Sequence, residues 1–471
     1  MSTSPEYRPE GGSFRDRNSR VYVVDGRIVR GLSRKALEAF DALTATAFYQ
    51  RAVSDGHVVP TWKMAPEDVP LNEHARGQWE GFLEHERIQP VTYAYEWTFS
   101  MLKAAAGLTL DLLESALEED FTLKDATPYN IQFRHGQPVL IDIPSFEHLR
   151  PGSPWVGYRQ FCEMFLFPLM LHSYRGLDFQ PLLRAGIDGI DVQQASRMLH
   201  GRDRFRRGVM SHVWLQSKLV ARHGGTERKV GQDLEKAGFN KALIQANVRR
   251  LRKLVSRLEG SDDITEWGNY AEMHNYSAED HQRKEAFVEA CLAKAKPGMT
   301  WDVGSNDGQF SRIAARHSQQ VLALDVDHSS LERLYCQEDR PDNILPLLHN
   351  VLDPSPNWGW RLRERRDLPH RAPPDLLLCL AVIHHVVITG HVPLDDFVDW
   401  LAEITPAVVI EFVDRSDDRV QALLRNKADE YEDYDHDAFR LSLQRYFTIE
   451  SKLTLDSGRR HLFYARQPDR S

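Results

Sequence analysis

The sequence has few cysteines, and their spacing builds no structural site. It contains four cysteines in 471 residues, none of them in a C-x-x-C pair. They are Cys162, Cys291, Cys336 and Cys379. Disulfide scaffolds are dense in cysteine, and structural zinc sites need closely spaced pairs of ligands. The composition therefore predicts a protein of a reducing compartment, without disulfides and without a metal site.

Long apolar runs and an excess of basic charge are also lacking. The most apolar stretches, 161–171 and 376–383, are too short to span a bilayer, and residues 1–10 are too polar for a secretory signal. The chain carries 59 Lys and Arg against 68 Asp and Glu, a formal net charge of −9. That balance disfavours non-specific binding along nucleic acid. We therefore expect a cytoplasmic protein with no membrane span, for which nucleic acid is an unlikely partner.

The length allows two or three domains, and three zones of the sequence differ in texture. Residues 1–200 mix short strand-like runs with helical patterns. Residues 201–265 are rich in arginine and lysine, with apolar positions at helical spacing, and are predicted to form a basic helical connector. From 266 to 471, strand and helix patterns alternate, which is typical of a parallel α/β sheet.

A strand, a turn with two glycines and a helix form the most informative segment. The apolar run that contains Asp302 leads into Gly304 and Gly308, whose lack of a side chain lets a ligand approach the backbone next to a helix amino terminus. The next predicted strand ends in Asp325, about 20 positions after the first glycine, as in nucleoside-binding βαβ units. An acid at that position can accept hydrogen bonds from both hydroxyls of a ribose.

Two features of this segment argue against a dinucleotide. Asn306 stands where a dinucleotide fold has its second glycine, and the carboxylate of Asp302 would repel a pyrophosphate. It would favour a cationic cofactor instead. The D-x-G-x-x-x-G pattern resembles the first motif of the class I S-adenosylmethionine-dependent methyltransferases. The resemblance implies S-adenosylmethionine as cofactor and a contribution to its site from Asp302, Gly304, Ser305, Asn306, Asp307, Gly308 and Asp325.

The resemblance continues to residue 467 and predicts the fold. Residues 343–348, 375–381 and 407–412 are similar to the third, fourth and fifth strands of that family, and Asp353 to its adenine-side residue. The pattern near Gly458 is similar to the closing antiparallel hairpin. We therefore predict a Rossmann-like, doubly wound sheet of seven strands.

The segment before the glycine turn is rich in aromatic residues and is similar to a lid. Tyr270 or Tyr276 could cover the sulfonium by a cation–π contact, and Lys284 could pair with the methionyl carboxylate. The alternative is that these residues pack the helix onto the sheet.

Two adjacent histidines, His384 and His385, follow the predicted fourth strand, on the side where methyltransferases keep acceptor-side residues. Either could be a general base for an oxygen or nitrogen acceptor. The alternative is structural, with one of the two packing into the following helix. Glu411 and Asp414, beyond the fifth strand, are weaker candidates.

The amino-terminal zone carries a second pattern. Asp125, Asn130 and Asp142 have the order and spacing of the catalytic loop and metal-binding aspartate of the protein-kinase-like and aminoglycoside-phosphotransferase superfamily, which this segment resembles. No G-x-G-x-x-G loop precedes them, and the early strand that ends near Arg30 contains no lysine to hold phosphates. We therefore predict an α+β, kinase-like domain over residues 1–200 that is not catalytic.

Along its whole length the chain resembles bacterial methyltransferases similar to the nodulation protein NoeA. The phrases that carry this resemblance lie at 85–88, 95–97, 123–125 and 158–163. It implies a methyltransferase with an amino-terminal extension, and a glycan or small metabolite is the favoured acceptor. Two alternatives stay open at this point, namely a bifunctional kinase–methyltransferase and an RNA-binding methyltransferase that uses the basic zone.

Overall fold

The structure, a computed structural model, describes residues 7–222, 240–260, 277–425, 427, 431 and 433–468. The chain divides into two compact units. The first unit consists of Met1–Ser261 and Asn357–Arg366, and the second of Asp262–Pro356 and Asp367–Ser471. Within the described residues, no helix is both long enough and apolar enough to cross a membrane.

The strands are numbered in chain order, β1 to β9 in the first unit and β10 to β16 in the second. They are β1 Tyr7–Pro9, β2 Ser19–Val24, β3 Arg27–Leu32, β4 Thr61–Lys63, β5 Gly81–His85, β6 Phe121–Leu123, β7 Ile131–Arg134, β8 Gln137–Leu140, β9 Phe146–His148, β10 Met299–Val303, β11 Gln320–Asp325, β12 Ile344–Leu348, β13 Leu376–Cys379, β14 Ala407–Val413, β15 Thr448–Thr454 and β16 Arg460–Arg466.

The helices are named here by their ranges. The α-helices of the first unit are Arg34–Thr44, Ala47–Ser54, Glu73–Arg76, Phe99–Glu118, Tyr158–Phe161, Phe167–Arg175, Gln180–Ala185, Val192–Met198, Leu215–Arg222 and Lys241–Ser256. Those of the second unit are Ala278–Ala295, Gln309–Ala315, His328–Cys336, Leu368–Arg371, Leu394–Ile404, Asp418–Leu424 and His436–Tyr446. Short π-helical segments are Cys162–Leu166, Val209–Trp214 and His385–Thr389. Single 3₁₀ turns are Gly11–Arg15, Pro66–Asp68, Ala94–Glu96, Pro128–Asn130, Ile143–Ser145, Gly201–Phe205 and Trp360–Leu362.

The second unit is built on one sheet of seven strands in the order β12-β11-β10-β13-β14-β16-β15. Strands β10 to β14 run parallel, and β16 is antiparallel to both β14 and β15. All seven residues of β14 are buried, as expected for a parallel strand covered on both faces. The prediction of a mainly parallel α/β sheet closed by an antiparallel hairpin is confirmed.

The strand order reverses between β10 and β13. Strands β11 and β12 extend the sheet on one side of β10, and β13 and β14 extend it on the other. The loops that leave the carboxyl ends of β10 and β13 therefore turn away from each other and open a crevice, where ligands of open α/β sheets bind.

The first unit has an α+β arrangement. A five-stranded antiparallel sheet in the order β1-β2-β3-β5-β4 is followed by the hairpin β7–β8, the pair β6–β9 and a mainly helical remainder. The helix Phe99–Glu118 carries twelve buried side chains and forms the centre of this part. The likeness of this unit to a kinase stays a prediction.

The basic zone belongs to the first unit in its described part, whereas the sequence predicted a separate connector. The helix Lys241–Ser256 packs on Phe99–Glu118 and buries an apolar stripe that includes Val248 and Leu251. Two of its arginines pair with acids on Phe99–Glu118. Arg249 Nε lies 2.7 Å from Glu114 Oε1, and Arg252 is paired with Asp111. Amphipathic spacing alone does not reveal which surface a helix will cover, so the sequence could not show this docking.

The segment Asn357–Arg366 also belongs to the first unit, although residues of the second unit flank it in sequence. Glu364 is 2% exposed and accepts two hydrogen bonds from Arg15, at 2.6 and 2.9 Å. The guanidinium of Arg365 lies 3.8 Å from the ring centre of Tyr129. A long-range ion pair and a cation–π contact therefore hold the segment in place.

We expect Glu364→Gln to lower the free energy of unfolding of the full chain by about 1–2 kcal/mol, since a buried carboxylate loses its charge-assisted hydrogen bonds. Denaturant titration of the full-length protein measures this. The matched control is Glu80→Gln, whose partner Arg34 is 2.8 Å away in a pair that is 49% and 73% exposed and should be worth little. Equal effects of the two substitutions would show that the contact of Glu364 does not stabilise the segment.

Candidate active site

A cavity of about 380 Å³ opens at the carboxyl ends of the parallel strands of the second unit. Its wall is formed by the ends of β10, β11, β12 and β13 and the loops that follow them, together with Lys284, Arg419 and Arg460. This volume lies within the range of small-molecule and cofactor sites. The cavity coincides with the crevice at the strand-order reversal.

The glycine turn after β10 contributes residues 304–307 to the wall of the cavity. Gly304 has a φ of +74°, and a Cβ there would lie 2.5 Å from Cγ2 of Val382. Gly308 has a φ of +84° and precedes the helix Gln309–Ala315. Only glycine adopts such angles without strain, so both glycines are needed for the turn that places the helix amino terminus beside the cavity.

Asp302 lies at the end of β10 and is 2% exposed. Its Oδ2 accepts a hydrogen bond of 2.6 Å from the hydroxyl of Ser311. Burial raises the pKa of Asp302, the bond from Ser311 opposes the rise, and the nearby charge of Asp325 adds to it, so that the resulting pKa is about 6. The site thus holds a carboxylate that a bound cation would stabilise in its charged form.

Asp325, at the end of β11, is held by the backbone of two loops. Its Oδ2 accepts from the N–H of Asn306 at 2.8 Å, and its Oδ1 accepts from the N–H of Asp327 at 2.9 Å. Burial raises its pKa, and these backbone bonds oppose the shift. Each oxygen keeps a further lone pair, so the carboxylate is oriented and can still accept a diol.

Ser305 supplies a test of whether the wall fits a polar ligand. It is 7% exposed, and its hydroxyl has no hydrogen-bond partner among the described residues. A buried hydroxyl without a partner is costly, and a ligand in the cavity that Ser305 lines would satisfy it. The residues present therefore fit a cationic, hydroxyl-bearing cofactor.

Lys284 lines the cavity from the helix Ala278–Ala295. Its Nζ lies 2.7 Å from Oε2 of Glu411 and 4.7 Å from the ring centre of Phe310. Glu411 is fully buried on β14, and its other oxygen lies 3.3 Å from Nη1 of Arg460. The lysine that the sequence assigned to a cofactor carboxylate is thus held by a protein carboxylate at the cavity wall.

The structure separates the two histidines. His385 lines the cavity, whereas His384 is fully buried and neither of its ring nitrogens has a hydrogen-bond partner within the described part of the chain. Burial lowers the pKa of His385 to about 4, with a contribution from Arg419. The structure therefore leaves His385 as the histidine that can reach a ligand, in its neutral form at neutral pH.

Other residues predicted from the sequence are placed as follows. Asn306 and Asp307 line the cavity with Ser305, whereas Asp353 is exposed and outside its wall. The adjoining residues His349 to Leu352 line it instead. Tyr270 lies outside the described residues.

Arg419 and Arg460 line the cavity and were not predicted. Arg460 opens β16, and Arg419 lies in the first turn of Asp418–Leu424. Neither lies in a recognisable motif. A signal was available only from the predicted hairpin, whose second strand had to return beside the fifth strand.

The kinase-like residues do lie together in the first unit. Nη1 of Arg30 is 2.8 Å from Oδ1 of Asp142, and the hydroxyl of Ser145 donates to Oδ2 at 2.8 Å. Nδ2 of Asn130 donates to the same hydroxyl at 3.1 Å. Burial raises the pKa of Asp125, and the charge of Asp142 raises it further. A guanidinium of this chain therefore already neutralises Asp142.

Among the described residues, no group of three or more His, Cys, Asp or Glu side chains is placed to hold a metal ion. The kinase-like cluster has two acids with an amide, and one of the acids, Asp142, is paired with Arg30.

A comparison with curated proteins finds a relative that aligns with nearly the whole chain. The chain is 30% identical over 469 residues to the nodulation protein NoeA of Rhizobium meliloti strain 1021, which covers 98% of this chain and 97% of that protein. No protein-family model matches the chain.

Solved structures match about two fifths of the chain. The N-methyltransferase NodS of Bradyrhizobium japonicum WM9 is 13% identical, with a TM-score of 0.30, and covers 41% of this chain and 99% of its own. The magnesium protoporphyrin IX methyltransferase ChlM of Synechocystis PCC 6803 with bound S-adenosylhomocysteine is 15% identical, with a TM-score of 0.32, and covers 46% and 100%. The same enzyme with bound S-adenosylmethionine is 15% identical, with a TM-score of 0.30, and covers 44% and 92%.

We expect Asp302→Asn to stabilise the ligand-free protein at pH 7.5 by about 1–3 kcal/mol, because it removes a carboxylate whose ionisation burial opposes. The pKa of Asp302 is about 6 in the folded state, which is above its pKa in the unfolded chain. The free energy of unfolding therefore falls as the pH rises from the unfolded-state pKa through the folded-state pKa. The gain of the variant should therefore shrink towards pH 4. Thermal unfolding at both pH values measures it, with exposed Asp342→Asn as control. A gain that is equal at the two pH values would contradict the raised pKa.

A second expectation concerns Asp142. We expect Asp142→Asn to lower the free energy of unfolding by about 1–3 kcal/mol, because Arg30, 9% exposed, loses its counter-charge. Glu84→Gln is the control, since its pair with Arg27 is 30% and 41% exposed.

The wild-type protein should consume no ATP with magnesium. Magnesium-dependent ATP consumption that Asp125→Ala abolishes would instead establish a phosphotransferase.

Proposed function

We propose, from the premise that this chain belongs to the NoeA family of nodulation proteins, that it is an S-adenosylmethionine-dependent methyltransferase of class I. The second unit carries the activity. The observation that supports this most is the pair of oriented carboxylates, Asp302 and Asp325, on either side of the glycine turn. The proposed acceptor is a small metabolite or a glycan, and the proposed location is the cytoplasm.

The charge of the turn selects the cofactor class. Asp302 is buried with a pKa raised to about 6, so a cation beside it is favoured and a pyrophosphate is repelled. Asn306, with a φ of 49°, and the hydroxyl of Ser305 add polar groups to the same wall. A cofactor with an ammonium, a sulfonium and a ribose complements this wall better than a dinucleotide does.

Three residues of the cavity wall are assigned roles in holding the cofactor. Asp325 would accept the ribose hydroxyls, because two backbone N–H groups already fix its orientation. Asp302 would face the ammonium group, directly or through a water. Gly304 leaves the space in which the cofactor can lie against the backbone.

S-adenosylmethionine, when bound, supplies an electrophilic methyl group on sulfur. The chain's contribution is to hold the acceptor in line with it and to exclude water, which is the main source of catalysis in such transfers. His385 is neutral and at the cavity wall, so it can accept a proton if the acceptor must lose one. Its lowered pKa of about 4 makes it a weak base, suited to an acceptor that loses its proton as the new bond forms.

The kinase-like cluster has no part in this proposal. Arg30 neutralises Asp142, and the role we assign to the cluster is to hold the hairpin β7–β8 and the turn after β8 in the first unit. This would preserve the arrangement of a phosphotransferase without its chemistry.

We expect S-adenosylmethionine to bind the full-length protein and Asp325→Ala to weaken binding by about 1.5–3 kcal/mol, the usual worth of hydrogen bonds to a charged group. Isothermal calorimetry measures both. Asp342→Ala, an exposed acid outside the cavity, should bind like the wild type. Equal affinity of wild type and Asp325→Ala would refute the ribose assignment, and comparable affinity for NAD would indicate a dehydrogenase.

A further inference from the structure

A strongly exposed phenylalanine lies among arginines in the first unit. Phe205 ends the 3₁₀ turn Gly201–Phe205 and is 87% exposed, more than any other large apolar side chain in the described part of the chain. Arg204 precedes it, Arg206 and Arg207 follow it, and all three are exposed. Exposed apolar residues that occur singly are common, so the neighbours of Phe205 decide whether it marks an interaction surface.

The helical segments that follow continue this surface. Met210, Trp214 and Lys218 are spaced four positions apart on Val209–Trp214 and Leu215–Arg222, which places them along one helix face. The ring centre of Trp214 lies 5.7 Å from Cζ of Arg204 and 5.7 Å from Nζ of Lys218, so this face lies beside the arginine turn. Together they form one basic aromatic surface, which consists of Arg204, Phe205, Arg207, Met210, Trp214 and Lys218.

The positive charge of this surface is largely uncompensated. Asp203, the acid of the arginine turn, is 6% exposed and is paired with two arginines, one of which is Arg206. Among the described residues, Arg204, Arg207 and Lys218 form no ion pair. The net charge of −9 belongs to the whole chain, whereas exposed charges act over only about 10 Å at ordinary ionic strength. A local positive potential therefore remains at this surface.

Cations beside exposed apolar groups are typical of surfaces that bind anionic lipid headgroups. Basic side chains are attracted to lipid phosphates there, and aromatic rings are favourable at the level of the headgroups. A nucleic acid would use the cations and could stack a base on Phe205, but it offers no apolar environment for Met210, which is 39% exposed. The combination of residues therefore favours a lipid surface over RNA.

We propose that the basic aromatic surface docks on an anionic membrane surface, with the ring of Phe205 inserted at the level of the headgroups and the basic side chains beside lipid phosphates. The proposed cytoplasmic location supplies such a surface, because the cytoplasmic leaflet is negatively charged. The inference does not depend on methyl transfer, since the whole surface lies in the first unit. Attachment of this kind needs no helix that spans the bilayer.

The test measures binding of the full-length protein to lipid vesicles by flotation. One set of vesicles consists of phosphatidylcholine alone, and the other of an equimolar mixture of phosphatidylcholine and phosphatidylglycerol. We expect binding to the anionic vesicles that weakens as salt is added, because salt screens the attraction. Binding to phosphatidylcholine alone should be at least about tenfold weaker, since each basic residue near an anionic surface contributes roughly fivefold. A polyuridine RNA is titrated in parallel.

Two variants separate the apolar contribution from the charged one. Phe205→Ser should weaken binding to the anionic vesicles at least about fivefold, because no aromatic ring then leaves water. Arg204→Gln combined with Arg207→Gln should weaken it at least about tenfold. Because these side chains are exposed, neither variant should lower the midpoint of thermal unfolding by more than about 2 °C.

Matched controls remove the same kinds of side chain elsewhere in the first unit. Trp62→Ser removes an aromatic side chain that is 56% exposed on β4. Arg34→Gln combined with Arg51→Gln removes two exposed arginines from the helices Arg34–Thr44 and Ala47–Ser54. Both controls should bind the anionic vesicles like the wild type.

Three outcomes would overturn the inference. The protein does not bind the anionic vesicles, or it binds phosphatidylcholine vesicles equally well, or Phe205→Ser binds the anionic vesicles like the wild type. Binding of the RNA without binding of vesicles would assign the surface to a nucleic acid instead. None of these outcomes bears on S-adenosylmethionine binding, so the proposed function is tested separately.

Discussion

A fully buried carboxylate controls the architecture of the second unit. Glu411 lies in the middle of a strand whose seven residues are all buried, and such a charge is tolerated only when cations and hydrogen bonds compensate its desolvation. Lys284 and Arg460 supply them at 2.7 and 3.3 Å. One comes from the helix before β10 and the other from the first residue of β16. The requirement to neutralise one carboxylate therefore fixes two distant segments of the chain at the same cavity wall.

Two other carboxylates of the second unit, Asp302 and Asp325, lack the compensation that Glu411 has. Asp302 and Asp325 are held without a cation of their own within hydrogen-bond distance in the described residues, and burial raises the pKa of both. Their orientation costs folding free energy in the ligand-free protein and becomes favourable when a positively charged ligand arrives. Such preorganised polarity is a general property of binding and catalytic sites. The cations of Lys284 and Arg460 line the same cavity, but Glu411 compensates them.

The features that the sequence predicted are those set by local physics. Buried parallel strands are continuous apolar runs, and a turn with positive φ needs glycine, so β10, β13, β14 and Gly304 could be predicted without coordinates. Arg460 could not, because it joins Glu411 only through the pairing in which Val413 lies opposite Arg460. The same holds for Arg15 and Glu364, which are 349 positions apart. The sequence could not distinguish His384 from His385 as the candidate base. Their different burial in the folded structure distinguishes them.

The first unit is discontinuous in the chain, and this affects its synthesis. Residues 357–366 are part of it, although they follow residue 261 by roughly 100 positions. At a translation rate of about 5–20 residues per second, the ribosome needs roughly 5–20 seconds to cover that interval. During this time Arg15 and Tyr129 have been made while Glu364 and Arg365 have not. The first unit of a nascent chain therefore cannot complete its contacts until residues 357–366, which lie between two segments of the second unit in sequence, have been synthesised.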